Sequence, residues 1–119
     1  MKLYSYEHFA IQRRRKGKSQ DDLAHEAGVT QGFIAQIENG LRSIPEDIQK
    51  IYPKKLTSVK RHEMFWLLLR RAGLRHEEAK KLFSVTAREF NDWMRGDTRI
   101  PDWAFDYAVK CEPRNRKKV

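Results

Sequence analysis

The chain has 119 residues, 39% hydrophobic and 34% charged, with six glycines, four prolines and a formal net charge of +9. Such a length and composition fit one compact helical domain or two very small ones sharing a core, and exclude a low-complexity chain. The single cysteine, Cys111, excludes an internal disulfide, and the positive balance calls for an anionic partner, nucleic acid ahead of an acidic membrane surface.

Taken in order, the first ten residues lack the apolar core of a signal peptide, and no later run approaches a bilayer-spanning length. A first helix is predicted over 5–16, with Tyr6, Phe9 and Ala10 as core contacts, a basic last turn Arg13-Arg14-Arg15-Lys16, and Gly17 as its stop. Ser19 is a good N-cap with acidic Asp22 three residues on, so a second helix runs over 20–27 and ends at Gly28. Val29 plugs the turn and Thr30 caps a third helix ending at Gly40. Its buried stripe is Ile34 and Ile37, which leaves Gln31, Phe33 and Gln36 to project elsewhere. Pro45 suits the first turn of a fourth helix, 46–52, which Pro53 ends.

The residues Ser19-Gln20, Leu23-Ala24, Gly28-Val29-Thr30-Gln31, Ile34 and Ile37-Glu38-Asn39-Gly40 together resemble the helix-turn-helix of lambdoid phage repressors and Cro proteins, the xenobiotic-response-element-like family. The resemblance implies that the third helix lies in the major groove of double-stranded DNA. It puts Gln31, Gly32 and Gln36 where that family reads bases. Gly32 has no side chain to read with, and neighbouring Phe33 is added as a contact to a thymine methyl. Phosphate contacts are assigned to Gln20, Thr30 and Asn39, to Arg42 and Ser43 in the following loop, and to Lys18 and Arg14. Arg13 and Glu38 are assigned a structural ion pair, tying the first helix to the end of the third.

Sliding the sequence by 56 residues aligns Glu7 with Glu63, Phe9 with Phe65, Gly17 with Gly73, Val29-Thr30 with Val85-Thr86, Gly40 with Gly96 and Ile44-Pro45 with Ile100-Pro101. This reads as a second, diverged helix-turn-helix unit, with helices near 58–72, 76–82, 86–94 and 102–110. In it Arg13 and Glu38 become Leu69 and Met94, a joint loss of both charges that is tolerable where losing one is not. Its face carries Arg88, Asp92, Arg95 and Arg99, a possible second DNA site. A packing or dimerisation domain that kept only the fold is the competing reading. The apolar run Met64 to Leu69 sits inside a helix and calls for burial on more than one side, or for a dimer interface.

The predicted architecture is therefore all-α, with tandem helix-turn-helix units at 1–53 and 58–110 and a basic tail at 111–119. The four histidines are scattered without metal-ligand spacing, and no nucleophile-base pair or phosphate-cradling glycine loop is present. No metal, cofactor or catalytic residue is assigned, and an enzyme is not expected. The expected role is a DNA-binding transcriptional repressor or autoregulator, cytoplasmic and nucleoid-associated. It acts as a homodimer on a palindromic operator, ahead of a monomeric pseudo-dimer on an asymmetric site, with a possible protein partner on the C-terminal unit and no membrane. An antitoxin that represses its own operon, or an interaction adaptor using the fold without DNA, are the alternatives.

Overall fold

A computed structural model of the chain describes residues 2–53 and 55–111, and these form eight α-helices with no strand. The fold is all-α. Its contacts divide into one unit up to Thr57 and another from Ser58, each with its own apolar core.

In the first unit α1 (Ser5–Arg15), α2 (Gln20–Ala27), α3 (Gln31–Glu38) and α4 (Glu46–Gln49) enclose Phe9, Leu23, Ala24, Ile34, Ile37, Ile48 and Tyr52. Local chemistry sets the helix starts. The Ser19 hydroxyl accepts from the Asp22 N–H and the Asp22 carboxylate from the Ser19 N–H, both at 3.0 Å. The Thr30 hydroxyl accepts from Phe33 N–H at 3.1 Å and opens α3.

The fourth helix is shorter than the expected 46–52. Lys50 caps α4, and Ile51 and Tyr52 are held by three-residue turn bonds to Ile48 and Gln49, which swing the Tyr52 ring edge-on against Phe9 at 5.4 Å. Apolar burial of that ring outweighs continuing the helix into solvent. Pro45 precedes the helix as its extended N-cap rather than standing in the first turn. From α1, Gln12 donates to the Pro53 carbonyl at 2.7 Å, and His8 Nδ1 accepts from the Leu56 N–H at 3.1 Å. Burial and nearby Lys55 hold His8 below the usual imidazole range, in keeping with a neutral acceptor nitrogen.

In the second unit α5 (Arg61–Arg71), α6 (His76–Phe83), α7 (Ala87–Arg95) and α8 (Asp102–Lys110) surround a core rich in aromatic rings, among them Phe65, Phe83, Phe90 and Trp93. α5 starts later than the expected 58, because the Glu63 carboxylate accepts from the Lys60 N–H at 2.9 Å and fixes the first turn there. Within the run Met64 to Leu69, Phe65, Leu68 and Leu69 enter this core and Met64 and Trp66 pack on its edge. The Arg70 guanidinium covers the Trp66 ring at 4.7 Å, so the indole is not left to water. The basic tail expected at 111–119 lies, apart from Cys111, outside the described residues.

Both units place their elements at the same intervals. Ser5–Arg15 and Arg61–Arg71 are 56 residues apart, as are Gln20–Ala27 and His76–Phe83. The agreement extends to backbone sign. Gly28 has φ +71°, and Ser84, at the same place after α6, has φ +54°, the one positive φ outside glycine among the described residues. A left-handed serine is strained where a glycine is not. Ser84→Gly should therefore stabilise the second unit by about 0.5–1 kcal/mol. Trp66, Trp93 and Trp103 all lie in this unit, so urea unfolding followed by tryptophan fluorescence reads the effect directly.

Candidate nucleic-acid interface

Beneath the α2–α3 corner lies a buried ion pair. Arg13 donates through Nε to Glu38 Oε2 at 2.6 Å and through Nη2 to Oε1 at 2.9 Å, and its Nη1 closes on the Lys18 carbonyl at 2.6 Å. Glu38 is 2% exposed and Arg13 9%, so neither charge is screened by water. The two-pronged geometry is the one a guanidinium offers a carboxylate most strongly.

The pair governs the surface above it. Glu38 Oε1 accepts a further bond from Gln20 Nε2 at 3.0 Å, and Gln20 Oε1 in turn accepts from Gln31 Nε2 at 2.7 Å. A carboxylate can only accept, so the Gln20 amide must turn its NH2 inward and its oxygen outward. Gln31 must then offer its NH2 to that oxygen. The amide of the exposed Gln31 at the start of α3 is thereby oriented, with Oε1 and one N–H left uncommitted.

One turn on, Gln36 is exposed too, and its Oε1 accepts from Arg42 Nε at 3.0 Å. The Arg42 guanidinium lies 4.6 Å from the centroid of the Phe33 ring, which is half-buried against the first core. Gly40 makes this return possible. At φ +75° it lets the Leu41 N–H bond the Gln36 carbonyl at 2.9 Å, and the chain doubles back over α3.

Gly32 is exposed beside Gln31, and a Cβ there would meet only the Thr30 hydroxyl, at 4.0 Å. Phe33 faces Arg42 on one side and the core on another. Thr30 and Ser43 are exposed, Asn39 is half-buried at the end of α3, and Arg14 is half-buried. Lys18 is half-buried and ion-paired with Glu26. Apart from buried Glu38, α3 carries no charged side chain, so no exposed carboxylate on it opposes a polyanion.

The corresponding surface of the second unit has a different character. Arg88 is exposed, but Arg95 is bonded to Asp92 at 2.9 Å and to Asp97 at 3.0 Å, and Arg99 to Asp102 at 3.2 Å. Asp102 also receives Arg61 at 2.9 Å. His76, which stands where the first unit has Gln20, meets the Phe90 ring edge-on at 5.1 Å and makes no comparable relay. Leu69 and Met94 are both buried in the second core. Among the described residues no group of His, Cys, Asp or Glu converges to hold a metal ion.

Sequence reading missed the Gln20–Gln31 relay and the seating of Arg42 on Phe33. The signal for the second was present: an arginine two residues past a helix-ending glycine returns over the last turns of its own helix. The acidic partners of Arg95 and Arg99 were also visible at 92, 97 and 102.

Residues 10–49 match the family model described as helix-turn-helix, of the Cro and repressor type. No curated protein and no solved structure matches the chain.

Breaking the buried pair on one side should be far costlier than removing both partners. Glu38→Met leaves the Arg13 charge buried and should lower the stability of the first unit by about 3–5 kcal/mol, whereas Arg13→Leu with Glu38→Met should recover most of that loss. Amide hydrogen exchange in α1 to α3 measures both, since the tryptophans report only the other unit.

Proposed function

We propose that the first unit is a sequence-specific reader of double-stranded DNA, with α3 in the major groove and the chain acting as a transcriptional repressor or autoregulator. The observation that carries this reading is the pair of amides, Gln31 and Gln36, each held outward by a bond to a fixed partner on a helix without exposed charge. Gln31 retains Oε1 and one N–H, the pair that can bond adenine N6 and N7 together. Gly32 leaves room for close approach of the backbone. Gln36 and Phe33 complete the base-facing set. Gln20, Thr30, Asn39, Arg42 and Ser43 lie around it as phosphate contacts, joined by Arg14 and Lys18 at the rim. Lys18 would exchange its Glu26 partner for a phosphate.

The second unit reads as a diverged copy, supported by the equal spacing of its helices and of its left-handed turns. Its acid-paired arginines favour a role in contacts with protein over one with DNA. The exposure of Trp103 (56%) and Tyr107 (46%) favours the same. A homodimer on a palindromic site follows most simply, with one reading unit per half-site. The same exposed rings also suit an antitoxin-like protein partner.

Selection of bound duplexes from a random library tests the reading. The wild-type chain should enrich one sequence, and its affinity should fall steeply as salt rises. Gln31→Ala should relax preference at one base pair, by about fivefold or more. A chain that binds all duplexes alike, or none, would refute the reading.

A further inference from the structure

Gln31 and Gln36 are the same residue type on the same face, yet their surroundings give them opposite polarity. The relay below Gln31 ends on a carboxylate, which only accepts, and so commits one Gln31 N–H and leaves its oxygen open. The partner of Gln36 is a guanidinium, which only donates. It therefore takes one lone pair of the Gln36 oxygen, fixes which end of the amide faces it, and leaves both hydrogens of Nε2 uncommitted. Neither orientation can flip without setting donor against donor or acceptor against acceptor. What holds Arg42 in place is independent of Gln36: its planar head rests on the Phe33 ring at 4.6 Å, and that ring is packed on the core.

We propose that Arg42 is a positioning residue for specificity: seated on Phe33, it fixes the orientation of the Gln36 amide and presents its NH2 to a base edge bearing acceptors, such as guanine N7 and O6 or thymine O4. This rests on the DNA-reading role of α3 argued above. The N–H groups of Arg42 other than Nε are not used in holding Gln36, so a phosphate contact by the same side chain is compatible with the role. A phosphate contact alone would not alter which base is chosen.

Library selection with the full chain separates these cases. Gln36→Ala should relax one base pair, which identifies the position Gln36 reads. Arg42→Lys keeps the charge but loses the planar head that stacks and bonds at once. It should relax that same position by about fivefold or more while leaving the Gln31 position intact. Phe33→Leu keeps the apolar packing, removes the ring and should relax the Gln36 position as well, beside any loss at a base that Phe33 itself touches. The proposal is overturned if Arg42→Lys keeps the wild-type preference at the position that Gln36→Ala relaxes. If Gln36→Ala changes no position while Gln31→Ala does, this proposal falls and the DNA-reading role of α3 stands; if neither changes any position, both fall.

Discussion

A charge inside a small apolar core is tolerable only if its partner and its remaining donors and acceptors are all provided for. Arg13 and Glu38 meet that condition jointly, with Lys18 and Gln20 taking up what the pair leaves over. The rest of the candidate interface depends on this arrangement. Because the carboxylate accepts only, the polarity of each amide stacked above it is determined in turn, out to Gln31 at the surface. Without it, Gln31 is an exposed, mobile side chain whose ordering entropy has to be met on binding. With it, that cost is met during folding.

The second unit shows what happens when the same backbone is not asked to hold such a relay. Leu69 and Met94 fill the corresponding interior without charge, and the aromatic core around Phe65 and Trp93 does the stabilising. On its surface Arg95 and Arg99 are matched to nearby carboxylates, which lowers the local attraction for a polyanion. The same helix spacing thus supports two chemically distinct faces, and the fold by itself does not decide which of them reads DNA.

Much of the architecture was legible because it is set by local chemistry. Ser19 with Asp22, Thr30, and the glycines at 17, 28, 40, 73 and 96 fix where helices begin and end, and those constraints act within a few residues. Helix α4 was overextended because the stop comes from a tertiary contact, Tyr52 against Phe9, that no local pattern encodes. At the interface the residue types were readable from position, while their orientation was not. That Gln31 offers an acceptor and Gln36 donors depends on which groups stand behind them, 11 residues away in the chain for Gln20 and six for Arg42. The positive φ of Ser84 is signalled by its place opposite Gly28 in the 56-residue offset and not by its residue type.

The central claim is that the amides on α3, oriented from within, meet the bases while the α7 face does not. Titrating the nitrogen-15-labelled chain with its selected duplex tests this most directly, since glutamine side-chain NH2 groups give their own signals. The account predicts that the Gln31 and Gln36 side-chain signals and the backbone of α3 move together, with α7 unperturbed. Changes confined to Ala87–Arg95, or glutamine side-chain signals that stay in place while DNA binds, would contradict it.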